Sequence, residues 1–429
     1  MQIKQASFRK RLHQLMRRAF AQLPRDTRHG IYRSMIDCDP APDARMELKV
    51  AETREELEDC FRILHDAYVA SGFMKPAASG LRVTMYHALP TTTTLCAKYD
   101  GRVVGTMSMI REGVFGFPLQ AVFDLSEVRA KQGQIAEISA LAVHPDFRKT
   151  GGAILFPLMK FMYEYCTEYF DTRHLVIAVN PDKIELYESL LFFERLQENV
   201  VDKYDFANGA PAVGATLDLP VAKEIFRRVY GKRKERKNLH QYFVTLKLPN
   251  IKLPKRRYFT TNDPVLTPAI LDHFFNQRSK VFEELDDRRK ALLWSIYDQP
   301  EFRAVLPMMS GSLTGFHPMR RHQRFSLRCP AELRLRVEGE GEDRSIVMTV
   351  IEISLSGFQA QSKLDIPIGA EGSVRVELGS QDKATLDVKV MRHHHTDTDE
   401  FYGFKLEEPD EVWRRAVSAL ETEHVAGDL

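Results

Sequence analysis

The stretch AVHPDFRKTGGAIL, residues 142–155, reads as the end of a β-strand, a tight basic turn and the start of a helix near Gly151. A helix N-terminus leaves backbone N–H groups without partners and carries partial positive charge, so it favours an anion. Gly151 and Gly152, followed by the small Ala153, let the backbone approach such an anion closely, and Arg148 adds charge-assisted hydrogen bonds. This is the composition of a phosphate cradle. Glycine turns before helices are common, so the elements on either side decide what kind of phosphate it holds.

Upstream, MELKVAE (46–52) has strand composition. TREELEDCFRILHDAYVA (53–70) is helical, with Thr53 as N-cap and Glu56 completing a capping box. TTLCAKYDGRVVGTMSMI (93–110) alternates as a hairpin turning at Asp100-Gly101, and IAEISALAV (135–143) is the strand that feeds the loop. Downstream, GGAILFPLMKFMYEYCTEYF (151–170) reads as a long helix kinked near Pro157. LVIAVN (175–180) follows as a strand and DKIELYESLLFF (182–193) as a helix.

The chain has 429 residues, 44% of them apolar and 28% charged, which suits two or three globular domains. Its five cysteines are scattered and show no CxxC spacing. They fit a reducing cytoplasmic setting and argue against a disulfide framework or a zinc site. No apolar run is long enough to span a bilayer, and the start lacks the apolar core of a signal peptide.

A net charge of +2 conceals two basic islands on an acidic body. One is residues 1–35, where residues 5–23 are amphipathic at helical spacing; such a helix equally caps the protein's own core or makes residues 1–25 a peripheral contact on the inner face of a membrane. The other is residues 221–260. Either calls for an anionic partner, though charge runs commonly do no more than solvate a face.

Residues 211–310 mix helical stretches with a basic strand-like piece, HQYFVTLKLPNIKLPKRRYF (240–259), and MSGSLTGFHP (309–318) is a plausible linker. Beyond it, short strands parted by glycine and charged turns suggest a small barrel, closed by a helix capped near Asp410. Two motifs lie in this part. MRRHQRF places Arg320, Arg321 and Arg324 together, and EISLSG places Glu352, Ser354 and Gly357 at a strand end. Arginine forks suit phosphates and the O6/N7 edge of guanine. The tract His393–His395 with Asp397 and Asp399 does not read as a metal site, because adjacent residues of a strand point to opposite faces.

The order of elements around the opening stretch resembles the GNAT acyltransferase superfamily, whose acyl-donor loop reads Q/R-x-x-G-x-G/A after its fourth strand. Arg148, Gly151 and Ala153 fill those slots. EISALAVHPDFR and NPDKIELYESLLFF look most like the N-acyl amino acid synthases, relatives of the acyl-homoserine lactone synthases. The resemblance covers roughly residues 46–205. It implies a long-chain acyl donor on acyl carrier protein or coenzyme A, with its phosphate or pantetheine held by Val143, Arg148, Gly151, Gly152 and Ala153. It also implies Glu137 as the base for an incoming amine, Tyr187 as the proton donor to the leaving thiolate, and a backbone N–H near Leu141 or Ala142 for the carbonyl oxygen. Each has a plainer alternative: a Glu137 that faces solvent or pairs with an arginine, and a Tyr187 that packs in the core. One departure is Phe192, where the family tends to have glycine; a phenylalanine there is expected to reshape the acceptor or acyl pocket.

The C-terminal part, about residues 315–429, resembles the PilZ domain, a receptor for cyclic di-GMP whose pattern is R-x-x-x-R followed by D/N-x-S-x-x-G. Arg320, Arg321, Arg324, Glu352, Ser354 and Gly357 occupy or adjoin those positions, with Glu352 departing from Asp or Asn.

The expected architecture is thus multidomain α+β. It comprises a basic N-terminal segment (1–45), a GNAT-like acyltransferase domain (46–210), a helical basic connecting region (211–314) and a PilZ-like small β-barrel (315–429). The expected activity is N-acylation of an amino acid, regulated by cyclic di-GMP, with no metal and no polymer of nucleic acid as partner. The basic segment 221–260 favours an acidic acyl carrier protein as donor. A catalytically inactive cyclic di-GMP-responsive adaptor and an acetyl-coenzyme A-dependent N-acetyltransferase are the alternatives. An apolar tunnel would speak for a long chain and a shallow cleft for acetyl.

Overall fold

Residues 20, 22–113, 115–148, 150–254, 266–297, 302–308, 324–335, 344–379, 382–395 and 400–425 are described by the structure, a computed structural model. The amphipathic stretch 5–23 lies almost wholly outside them, as do the linker 309–318, Arg320 and Arg321.

Helix α1 (Arg25–Ser34), not anticipated from the sequence, precedes β1 (Met46–Val50) and α2 (Arg54–Ala70). The capping box forms as read: Thr53 Oγ1 accepts from the Glu56 N–H at 3.2 Å, and Glu56 Oε2 accepts from the Thr53 N–H at 3.5 Å. The hairpin β2 (Thr92–Tyr99) and β3 (Arg102–Arg111) turns through Asp100 and Gly101 at φ 49° and 77°. Positive φ at both central residues matches the twist of paired strands. Then come β4 (Gln134–Val143), α3 (Leu155–Phe170), β5 (Thr172–Val179), α4 (Pro181–Leu191), the short β6 (Glu194–Arg195) and β7 (Val201–Tyr204), and β8 (Ala210–Asp218).

These strands form one mixed sheet in the order β1-β2-β3-β4-β5-β8-β6, with β7 also pairing β8. All pairs are antiparallel except β4 with β5. Strand alternation separates two apolar cores. Leu95 and Ala97 face a core shared with α3, whereas Cys96 faces a core shared with Cys60, Phe61 and Leu64 of α2. The two helices therefore cover opposite faces.

Two local expectations are corrected. Helix α3 starts at Leu155 rather than near Gly151, because residues 151–154 form a turn ahead of it. Pro157 accordingly falls in the first helical turn, where an N–H would have no partner within the helix, so it interrupts no hydrogen bond of the helix interior.

Much of residues 211–306 packs on this sheet. Strand β8 runs antiparallel to β5, and α5 (Leu219–Tyr230) buries Ala222, Phe226 and Tyr230 in the α3-side core. The strand-like basic piece is not a strand. Gln241–Thr245 form a π-helical turn, and Ile251 makes an isolated parallel bridge to Leu48. Helix α6 (Pro268–Asp272) runs into a second π-helical turn and is followed by α7 (Asp287–Ile296). Phe274, Phe275, Phe282 and Leu293 from this region join the α2-side core.

The C-terminal part is a closed six-stranded barrel of β9 (Arg324–Leu335), β10 (Arg344–Ser354), β11 (Gly357–Ser362), β12 (Glu371–Glu377), β13 (Lys383–His395) and β14 (Glu400–Leu406). Its order is β10-β11-β14-β13-β12-β9. Helix α8 (Glu411–Val425) contributes Trp413, Ala416, Val417 and Leu420 to the barrel core. Asp410 caps it as expected, accepting the Trp413 N–H at 2.7 Å.

Candidate functional sites

Strands β4 and β5 pair in parallel from Gln134 to Glu137, and the register ends there, although β4 continues to Val143. At the same place β4 bulges. Thr106 and Ser108 of β3 pair with Ala142 and Ser139, leaving Ala140 and Leu141 opposite Met107. Ala140 sits at φ 53°, a left-handed conformation that costs a residue with a Cβ about 1–2 kcal/mol. The bulge therefore frees backbone around Leu141 from the ladder on both sides.

A cavity of about 290 Å³ fills the split between the strands. Ser139, Ala140 and Leu141 of β4 and Ile177, Ala178 and Val179 of β5 line it, and it reaches Tyr68 of α2 on one face and Met159, Met162 and Tyr163 of α3 on the other. It thus passes through the sheet, and its walls are mostly apolar. Ala140 and Ala178 of the two strands, with Met107 of β3 and Met159 and Met162 of α3, leave room that larger, stiffer side chains would fill.

The loop after β4 holds the residues of the opening stretch. Arg148 is exposed, and its Nε donates to the carbonyl of Val143 at 2.8 Å, which ties the arginine to the strand end. Gly151 adopts φ 67° and Gly152 φ 94°. A Cβ on Gly152 would stand 2.6 Å from the Phe156 ring, so this position excludes any side chain, while Ala153 follows exposed.

Glu137 is 1% exposed. Its Oε2 accepts the Leu119 backbone N–H at 3.0 Å, and burial raises its pKa to about 8. It has no arginine partner among the described residues. Its charge also reaches two tyrosines that sequence reading did not single out: together with burial it raises Tyr86 to about 12 and raises Tyr204 further.

Tyr187 lies on the cavity wall, its ring 5.9 Å from that of Phe193. Burial raises its pKa, so the phenol keeps its proton. Cys166 is fully buried and donates to the Tyr163 carbonyl, which makes it a packing residue.

Phe192 does not line the cavity, which takes Leu191 and Phe193 instead. It caps α4 at φ 62° and packs on Phe226 and Tyr230, with the Arg33 guanidinium 5.1 Å from its ring. The expected reshaping of the pocket is therefore corrected: the side chain does not line the cavity and reaches it only through Phe226, on which it packs.

The second basic island is partly spent inside the fold. Arg236 pairs with Asp37 and Asp39, Lys237 donates to the Ser34 carbonyl, and Lys247 pairs with Glu168. Lys223, Arg228, Lys232 and Lys234 are exposed and make no ion pair among the described residues, and Lys223 borders the cavity.

In the barrel, Arg324 begins β9 opposite Ser354, the last residue of β10. Arg324 Nη1 donates to Glu352 Oε1, so two motif residues already form an ion pair. Ser354 Oγ donates to the Gly357 carbonyl at 3.0 Å, and the Ser354 carbonyl accepts from Trp413 Nε1 at 2.9 Å. A Cβ on Gly357 would meet the Phe404 carbonyl oxygen at 2.3 Å, which requires glycine there. Arg324, Glu352, Ser354 and Gly357 thus come together, while Arg320 and Arg321 lie outside the described residues. His393 pairs with Glu400 and stacks on Tyr402, while Asp397 and Asp399 lie outside the described residues. No cluster of three or more His, Cys, Asp or Glu suited to a metal occurs among the described residues. Nor is any helix there long and apolar enough to cross a membrane.

Residues 59–218 match the family model of the N-acyl amino acid synthase FeeM, and residues 318–420 match that of the PilZ domain. No curated protein matches the sequence. Among solved structures, FeeM, an N-acyl amino acid synthase from uncultured soil microbes, is similar at 21% identity and a TM-score of 0.37, over 46% of this chain and 98% of that one. The CoA-dependent acyl-homoserine lactone synthase BjaI is similar at 20% identity and a TM-score of 0.35, over 49% and 95% of the two chains. The PilZ domain of YcgR from Escherichia coli, solved with c-di-GMP, is similar at 16% identity and a TM-score of 0.21, over 25% and 94%. By the two family matches, the chain joins an N-acyltransferase domain of the N-acyl amino acid synthase FeeM type to a C-terminal PilZ domain.

Proposed function

We propose that the first domain moves a long acyl chain from a thioester, carried by acyl carrier protein or coenzyme A, to the α-amino group of an amino acid, and that cyclic di-GMP bound by the PilZ domain regulates it. The observation that carries the reading is the apolar cavity through the sheet at the β4–β5 split. Burying a chain there is worth about 0.8 kcal/mol per CH₂, whereas an acetyl group would leave most of it empty.

Arg148 and the backbone of Gly151, Gly152 and Ala153 hold the phosphate of the pantetheine arm, which enters past Val143. The N–H freed by the bulge near Leu141 polarises the thioester carbonyl. The amine nitrogen attacks that carbon and forms the C–N bond. Glu137 takes one proton of the ammonium beforehand, directly or through a water; as the C–S bond breaks the thiolate takes a proton from Tyr187, and the second proton shed by the nitrogen restores the Tyr187 phenol. Glu137 must first be ionised, and an arriving ammonium favours this by its opposite charge.

The exposed cations Lys223, Arg228, Lys232 and Lys234 support a strongly acidic carrier protein as donor, because steering toward an acidic partner needs charge that is not already paired. In this reading the acyltransferase unit starts near Met46 and takes in β8 and α5 beyond residue 210, while the nucleotide unit occupies residues 315–429. Cyclic di-GMP, held by Arg320, Arg321 and Arg324 with Glu352, Ser354 and Gly357, regulates by binding two states of the chain unequally. Residues 1–25 offer the peripheral membrane contact.

The test is incubation of the purified protein with acyl carrier protein thioesters, or acyl-coenzyme A, and mixed amino acids, followed by mass spectrometry. N-acyl amino acids should form, and Glu137→Gln should abolish them. Transfer of acetyl alone would overturn the reading.

A further inference from the structure

Arg82 is 7% exposed, and no carboxylate lies within ion-pair distance of it among the described residues. Its Nη2 donates to the Phe206 carbonyl at 2.5 Å, and its guanidinium lies 4.0 Å over the Tyr68 ring. A buried guanidinium carries a large desolvation cost that one carbonyl does not offset. Arg111, equally buried, shows what a structural arginine does in this fold. It donates to Thr93 Oγ1 at 2.8 Å and to the Pro90 carbonyl at 3.1 Å, and lies 3.9 Å over the Phe170 ring.

The surroundings of Arg82 contain a second incomplete group. The Tyr204 hydroxyl is buried with no hydrogen-bond partner. The Phe206 ring ties the group together, standing 5.9 Å from Tyr204, 5.7 Å from Tyr86 and 5.7 Å from the Arg82 guanidinium. Tyr204 lies within electrostatic range of both Glu137 and Arg82. Tyr68, beneath the guanidinium, also forms the cavity wall near the β4 bulge. A cationic fork, an unpaired hydroxyl and a carboxyl that can ionise are thus gathered beside the split where the thioester would lie.

We propose that Arg82 binds the α-carboxylate of the acceptor, with the Tyr204 hydroxyl as a further donor to it, while Glu137 receives the amine. Arg82 would then be the residue that selects the amino acid acceptor proposed above over simple amines or amino-acid amides. A zwitterion satisfies all three groups at once, and the planar fork of arginine suits a carboxylate bidentately. This rests on the acyl transfer proposed above, and it adds the residue that would read the acceptor.

The experiment measures kcat/KM of the full-length protein with decanoyl-coenzyme A and the decanoyl thioester of acyl carrier protein. The acceptor pairs are leucine and isopentylamine, phenylalanine and phenethylamine, and glycine and methylamine. The native protein should prefer the amino acid of an accepted pair by at least about 10- to 100-fold, the effect of one charge-assisted pair. Arg82→Met should lose that preference through a higher KM for the amino acid, and Arg82→Lys should restore part of it. Equal use of amino acid and amine by the native protein would overturn the role of Arg82 without touching acyl transfer. So would an unchanged preference in a folded Arg82→Met. Absence of N-acyl product from every acceptor would instead overturn acyl transfer to amines, and this inference with it. The native-protein comparison stands even if the variants fail to fold.

Discussion

Leu119 holds Glu137 in the interior, its backbone N–H reaching Oε2 at 3.0 Å from the turn Pro118–Ala121. One neutral donor does not compensate for burial, so the carboxyl titrates at about 8 rather than at its ordinary 4.5. A base of this kind is mostly protonated at neutral pH and becomes competent as the pH rises. In the free enzyme, kcat/KM for the amine acceptor should climb with pH and level off above about 8. In Glu137→Gln that limb should vanish with the activity. A flat profile from pH 6 to 9, after correction for ionisation of the acceptor itself, would remove Glu137 as the base.

The same shift has a consequence for stability. Between 4.5 and about 8 the native state binds the proton more tightly than the unfolded chain does. Stability therefore falls as pH rises through that window, and the penalty is complete above it. Glu137→Gln, which cannot ionise, should match the native protein near pH 4.5 and exceed it by a few kcal/mol at pH 9. Chemical denaturation at the two pH values checks this, and equal stability at pH 9 would contradict it.

Ala222 of α5 lines the cavity opposite the bulged strand. In the native protein, each added CH₂ should raise kcat/KM about fourfold until the cavity is full, from about 0.8 kcal/mol per buried group. Ala222→Phe should move that limit to shorter chains, with an overpacking cost of about 1–3 kcal/mol in stability. Assay of a C4–C14 thioester series checks both, and an unchanged chain-length optimum would place the acyl chain elsewhere.

The elements that were legible in the sequence are those set by near neighbours. The Thr53–Glu56 capping box, the Asp100-Gly101 hairpin and the glycines after Val143 each depend on residues a few positions apart. The meeting of Arg324 with Glu352, Ser354 and Gly357 spans about thirty residues, and it was legible because two motifs mark the ends of adjoining strands. What could not be read depends on distant pairing. Arg82, Tyr86 and Tyr204 meet around Phe206, more than a hundred residues beyond two of them. A lone arginine in a loop carries no local mark of burial. The direction of Phe192 was equally hidden, because a left-handed residue turns its side chain away from the face that helical spacing assigns to it.

Phe192 is a bulky residue in a conformation that glycine adopts without strain. Its ring recovers that cost by packing on Phe226 and Tyr230 and beneath Arg33. Removing the ring while keeping the strain should be the worse change. Phe192→Ala should therefore be less stable than Phe192→Gly by about 1 kcal/mol, the reverse of the usual order of these two residues. Both should leave the preferred acyl-chain length unchanged, since the side chain does not line the cavity. Thermal unfolding of the pair gives the comparison, and an alanine variant more stable than the glycine one would show that the backbone relaxes.

Glu352 pairs with Arg324, so the arginine proposed to hold cyclic di-GMP is already engaged. Both side chains are about a quarter exposed, so the pair itself is screened and worth little, on the order of 1 kcal/mol or less. A ligand that takes the same N–H must displace Glu352, whereas one that takes the other guanidinium N–H groups can bind with the pair intact. Glu352→Asp shortens the acid by one methylene and loosens its hold on Arg324 without removing the acceptor that a guanine edge needs. Its affinity should rise by up to about fivefold, the equivalent of that pair. Glu352→Ala frees Arg324 but deletes the acceptor, so it should gain less or lose. Arg324→Ala should abolish binding. Calorimetric titration of the four full-length proteins with cyclic di-GMP orders these cases. A native protein that binds more tightly than Glu352→Asp would mean that the longer acid reaches the base better than it restrains the arginine.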